Sequence, residues 1–188
     1  MALLLTGRPG VGKTTVLRVA ARQLARFHPA GFYTEEIRVG RERRGFRLIT
    51  FDGEEAIIAH VDLPPPRISK YGVDVAAIDR FAASLSLDAA GDKPLDSARD
   101  KPNRRDRSSI YLVDEIGKME CLSAVFVDVM RRVVESGRPL VATVAERGGG
   151  FIAEVKRRRD VEMWTVTQST RDTLPDRIVS WIQVRVHA

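Results

Sequence analysis

A chain of 188 residues with 44% apolar side chains can bury one sizeable core, which excludes wholesale disorder and predicts a single folded domain over 1–188. Its formal charge of +6 comes from 25 arginines and six lysines against 25 acids, and the arginines are scattered, so the balance suits an anionic ligand without marking a nucleic-acid groove. Cys121 is the only cysteine, which excludes an intrachain disulfide and a cysteine-cluster metal site and fits a reducing compartment.

The chain opens on Ala2 to Thr6, a short apolar strand that meets Gly7 and Arg8 too soon for a signal peptide or a membrane span, so a cytoplasmic protein with no membrane partner is expected. Thr14 to Phe27 places Val16, Leu17, Ala20, Leu24 and Phe27 at helical spacing before Pro29 and Gly31. Three strand-like runs follow, 32–39, 46–51 and 55–60, separated by turn residues, and they predict an antiparallel meander at about 31–60. Pro64, Pro65 and Pro66 force an extended connection to a helix over 79–87. The stretch 91–109 is almost free of apolar residues and carries four arginines, as a disordered segment or a lid would. Ile110 to Val113 is a second buried strand, 123–135 a helix, 139–144 a third buried strand, 151–158 a helix, 161–166 a strand and 175–184 a closing helix. Strands alternating with helices predict an α/β fold of three layers, a mainly parallel sheet with helices on both faces and ligand chemistry at the carboxyl ends of the strands.

Gly7-Arg8-Pro9-Gly10-Val11-Gly12-Lys13-Thr14 satisfies the P-loop (Walker A) pattern between a predicted strand and a predicted helix. Glycines let backbone N–H groups converge on phosphate oxygens, and the following helix adds its unpaired amides and positive dipole end. Lys13 would reach the β- and γ-phosphates, the Thr14 hydroxyl would join the coordination of a Mg²⁺ bound to them, and Thr15 would add a contact to the α-phosphate.

A phosphate cradle hydrolyses nothing alone; it needs an acid for the metal and a group that orients water. The apolar run before Asp114 puts that residue at the carboxyl tip of a buried strand that can lie beside the P-loop strand, where it would hold Mg²⁺ in the Walker B manner. Glu115, the next residue, would serve as general base or water orienter, so that Glu115 and Lys13 are the catalytic candidates and Asp114, Glu115, Ile116 and Gly117 join the P-loop residues in the nucleotide site. Thr143 reads more readily as a hydrogen-bonded strand threonine than as a γ-phosphate contact, Lys118 as an exposed lysine, and Glu35, Glu36 and Arg38 as strand surface charges. Lys156 to Arg159 suits the dipole at a helix end. His28, His60 and His187 show no metal-ligand spacing.

Four stretches, GRPGVGKTT from Gly7, GFYTEEIR from Gly31, KYGVDV from Lys70 and VDEIGKME from Val113, resemble the small nucleoside-triphosphatases called cancer-related or thermophile-type. Their order, with the strand at Leu140 to Val144 and the Arg171-Asp172 ending, extends the resemblance over nearly the whole chain. It implies a P-loop fold and slow hydrolysis of several nucleoside triphosphates (ATP, GTP, CTP and UTP) to diphosphate and phosphate, with little base selectivity. The family pattern Asn-Arg-Asp is here Thr170-Arg171-Asp172, which lacks the spacing of a guanine-reading motif. A monomer is the expected state. The competing expectations are a small-molecule or nucleotide kinase, supported by the arginines of 91–109, and a nucleotide-gated switch binding nucleic acid or protein, suggested by the basic charge.

Overall fold

The computed structural model describes residues 1–89 and 110–186; the predicted polar stretch 91–109 and His187 lie outside them. Among the described residues a nine-stranded sheet runs in the order β5-β6-β4-β3-β2-β7-β8-β1-β9. Five of these, β1 (Ala2–Thr6), β2 (Ala30–Val39), β7 (Tyr111–Ile116), β8 (Leu140–Val144) and β9 (Val161–Thr165), pair in parallel. The antiparallel extension comprises β3 (Glu42–Thr50), β4 (Glu55–His60), β5 (Arg67–Ile68) and β6 (Tyr71–Val73), which continues from the outer edge of β2.

Strand alternation sorts the core into two layers. Leu3 and Leu5 of β1, with Ile110, Leu112 and Val141, face α1 (Lys13–Gln23) and α5 (Leu174–Val186). Ala2, Leu4, Tyr111, Val113, Leu140 and Ala142 face α2 (Val75–Ala89), α3 (Ala124–Glu135) and α4 (Phe151–Arg157). Each fully buried Leu of β1 contributes roughly 1.5–3 kcal/mol, so the strand carrying the P-loop is anchored on both faces. The predicted three-layer arrangement and the meander are both present.

Several predicted boundaries move. The first helix ends at Gln23, and Ala25–Phe27 forms a separate 3-10 turn. α2 begins at Val75 instead of 79, because the Asp74 carboxylate accepts from the Ala77 N–H at 2.9 Å and caps a first turn of small residues. β5 and β6, only two and three residues long, escaped the apolar pattern. β7 runs on to Ile116, so Asp114 lies within a strand and not at its tip, and β8 separates β7 from the P-loop strand.

The Gly31 position is fixed by close approach. Its φ is +132°, and a Cβ there would sit 1.8 Å from the Leu112 carbonyl oxygen on β7. Gly31→Ala is expected to push β2 off β7 and cost about 3 kcal/mol or more, read as a fall in the urea midpoint; an unchanged midpoint would show that the parallel pair tolerates the added carbon.

Candidate active site

Thr6, at the end of β1, hands the chain to the glycine loop, and Gly12, in the left-handed region at φ 106°, turns it into α1. Gly7 is confined from the other side: an added Cβ would lie 2.6 Å from the Val166 carbonyl just past β9. Lys13 Nζ donates to the Gly7 carbonyl at 3.0 Å and to that of Arg8 at 3.5 Å, bridging the loop it closes.

Parity brings the second acid to this loop. Ile110 and Leu112 face α1, and Asp114, two residues on, meets the first turn of that helix at Thr14. Its carboxylate is 1% exposed and fully engaged: Oδ2 accepts from Thr14 Oγ1 at 2.7 Å and from Thr34 Oγ1 at 3.1 Å, with the Thr34 N–H at 3.4 Å, while Oδ1 accepts from Thr143 Oγ1 at 2.6 Å. Thr143 of the intervening β8 is thus a fully buried, satisfied strand threonine, as its sequence position suggested. Thr34 had no periodic signal; it lies in the quoted GFYTEEIR stretch.

The Asp114–Glu115 peptide bond is cis. Glu115 lines an open cleft of about 810 Å³ together with Gly7, Pro9, Gly10, Gly12, Lys13 and Thr14. Burial, then the Asp114 charge, raises the Glu115 pKa, against the pull of Lys13 and Lys156. A carboxyl whose affinity for protons is raised toward working pH is better matched to general-base work. Thr15 also lines the cleft. Of the other expected site residues, Val11 packs against the core beside α1, Arg8 is exposed, and Ile116 is fully buried, paired through β7 to Val144. Gly117 sits where the chain leaves β7, between the carboxyls of Glu115 and Glu120.

The far wall carries Glu35 and Glu36, both neutralised. Arg18 Nη1 reaches Glu35 at 2.8 Å and Arg47 Nη2 at 3.0 Å; Arg43 and Arg38 hold Glu36 at 2.7 Å each. Lys118, Glu146 and Arg147 complete the rim. Lys156 Nζ donates to the Ala145 and Glu146 carbonyls at 2.5 and 3.0 Å and thereby ties the loop after β8 to α4. Past β9, the Arg171 Cδ comes within 3.7 Å of where a Gly12 Cβ would stand, so the Thr170-Arg171-Asp172 turn overhangs the P-loop. Among the described residues no group of three or more His, Cys, Asp or Glu could hold a metal ion by itself, and no helix is long and apolar enough to cross a membrane.

Residues 2–179 match the family described as NTPase. A nucleoside-triphosphatase THEP1 of Thermotoga maritima is 38% identical over 96% of this chain and 94% of its own length. The human cancer-related nucleoside-triphosphatase is 32% identical, covering 95% of each chain. Among solved structures, the crystal structure of THEP1 from Aquifex aeolicus superposes with a TM-score of 0.77 at 28% identity, over 97% of this chain and 99% of that one. The solution structure of a human cancer-related nucleoside triphosphatase gives 0.72 at 31% identity, covering 97% of each. On these grounds the chain belongs to the NTPase family that includes the thermophile THEP1 proteins and the human cancer-related nucleoside-triphosphatase.

Proposed function

We propose that this chain hydrolyses nucleoside triphosphates to the diphosphate and inorganic phosphate in the cleft between the P-loop and β7. The observation that carries the proposal is the 2.7 Å bond from Thr14 Oγ1 to Asp114 Oδ2, which joins two sequence motifs 100 residues apart into one site with Glu115 on its wall. The phosphate chain lies on the amides of Gly7 to Thr14, and Lys13 offers its charge to the β- and γ-phosphate oxygens. Glu115 takes a proton from the water whose oxygen attacks the γ-phosphorus, while the bond from that phosphorus to the β-phosphate oxygen breaks.

Thr14 and Asp114 would hold Mg²⁺: one hydroxyl and one carboxylate meet at the loop, and this donor set suits an ion whose remaining ligands are phosphate and water. Bound there, Mg²⁺ would neutralise charge on the phosphate oxygens. Weak base selectivity, with ATP, GTP, CTP and UTP all serving as substrates, is supported by the relatives, which are named nucleoside-triphosphatases with no single base.

The test separates binding from chemistry. Glu115→Gln is expected to keep nucleotide affinity and lose phosphate release by about 10²–10⁴-fold, whereas Lys13→Ala weakens binding itself; phosphate release and fluorescent-nucleotide titration measure the two. Wild-type turnover in Glu115→Gln would overturn the assignment.

A further inference from the structure

Sheet order puts the loop after β8 between the two halves of the site. β8 lies between β7 and β1 and runs parallel to both, with Thr143 level with Leu5 and Val144 level with Ile116. The chain leaving β8 therefore emerges with the P-loop on one side and the end of β7 on the other. The Ala145 N–H donates to the Ile116 carbonyl at 3.1 Å, and Lys156 Nζ holds the Ala145 and Glu146 carbonyls, so this exit is fixed. Arg147 is the next residue, and it lines the cleft with Lys13, Thr14 and Glu115. Gly148, Gly149 and Gly150 follow, so the rest of that loop has no side chain to crowd it.

The arginines on this cleft are not equivalent. Arg18 is spent on Glu35 at 2.8 Å and Arg43 on Glu36 at 2.7 Å. Among the described residues the Arg147 guanidinium has no hydrogen bond, ion pair or ring contact. A guanidinium stays charged at any working pH and presents its donors as a planar fork that fits two phosphate oxygens at once. Lys118 also lines the cleft, but an ammonium supplies a point charge, which Lys13 already provides. During phosphoryl transfer the charge on the outer γ-phosphate oxygens has to be held while the bonds on either side change, and a second, forked cation is suited to that task.

Resting on hydrolysis in this cleft, we propose that Arg147 is a catalytic residue: its guanidinium donates to the outer oxygens of the γ-phosphate and stabilises the charge they carry in the transition state. The phosphorus gains a bond to the water oxygen and loses its bond to the β-phosphate oxygen, and the water proton goes to Glu115. Arg147 stays protonated throughout and gives up nothing. Its contribution is made to the transferring group, so it enters kcat more than the affinity for the nucleotide.

The experiment pairs steady-state phosphate release from Mg²⁺-ATP with titration of Mg²⁺-ADP, alone and with aluminium fluoride as the mimic of the transferring phosphoryl group, on the full chain. Arg147→Ala is expected to lower kcat about 10²–10³-fold, the scale of one lost transition-state donor, with KM within about threefold of wild type. Its ADP affinity is expected to hold while the gain in affinity brought by aluminium fluoride disappears. Arg147→Lys keeps the charge without the fork and is expected to fall between the two. Melting midpoints are expected to match, because the side chain has no partner to lose. Wild-type kcat in Arg147→Ala would overturn the role, and so would a loss of ADP affinity as large as the loss with aluminium fluoride. A loss of this size in Lys118→Ala beside a fully active Arg147→Ala would give the task to Lys118 instead. An active Glu115→Gln would remove the assignment of Glu115, which is a different result from an inactive Glu115→Gln beside a fully active Arg147→Ala.

Discussion

Asp114→Asn is expected to reduce Mg²⁺-dependent phosphate release by about 10³-fold while leaving the fold nearly intact, and Asp114→Ala to lose the same activity and about 2–4 kcal/mol of stability as well. The difference follows from what the carboxylate holds. Its oxygens accept from Thr14, Thr34 and Thr143, which belong to the start of α1 and to β2 and β8, the strands on either side of β7. Asparagine keeps an acceptor and the volume, and a threonine hydroxyl can rotate to accept from its amide, so the three elements stay joined. Alanine leaves hydroxyls unpaired at a position 1% exposed. Part of that loss is offset because a buried anion no longer has to be desolvated, which is why the expected figure is smaller than the sum of the separate bonds. Urea melts and phosphate release across a Mg²⁺ titration measure the two effects. An Asp114→Asn protein with wild-type turnover would show that the acid serves packing alone.

The sequence made the central sheet legible because its strands are buried on both faces and appear as apolar runs, interrupted only by Thr143: Leu3 to Leu5, Ile110 to Val113 and Leu140 to Val144 needed no alternation to be recognised. The P-loop was legible for a different reason, since its glycines and Lys13 answer to backbone geometry and phosphate charge more than to packing. Strand neighbours were not. Nothing local to Ile110 to Val113 says that β8 will insert between it and β1, because that order is a property of the crossovers. β5 and β6 are too short for periodicity, and their Tyr71 and Val73 join the buried cluster through partners far along the chain, Tyr71 edge-on to Phe46. The partners of Asp114 were equally hidden. Thr34 and Glu120 sit in stretches whose wording carried the family resemblance, yet only the folded chain puts Thr34 on the Asp114 carboxylate and Glu120 on the cleft wall.

Glu120 also makes stability depend on pH in a direction opposite to Glu36 and Glu154. Its carboxyl stands near 4.5 when free and about 8 when folded. Between those values the folded chain binds one more proton than the unfolded one. The contribution is therefore fully present below pH 4.5, drains as pH rises toward 8 at up to about 1.4 kcal/mol per pH unit, and is flat above. Glu36 and Glu154 are lowered: burial raises Glu36, but its bonds to Arg43 and Arg38 outweigh that, and the bond from Arg131 dominates at Glu154. Their contributions are present above pH 4.5 and lost in acid, so they do not overlap the Glu120 window. Glu115, raised as well, adds to the decline on the alkaline side. Glu120→Gln removes one titration without changing the shape of the side chain. Against wild type it is expected to gain on the order of 3–5 kcal/mol in relative stability between pH 4.5 and pH 8.5, whatever constant offset the amide introduces. Urea unfolding at pH 5, 6.5 and 8.5 resolves that trend. Parallel profiles for the two proteins would mean that Glu120 is ionised in the folded chain.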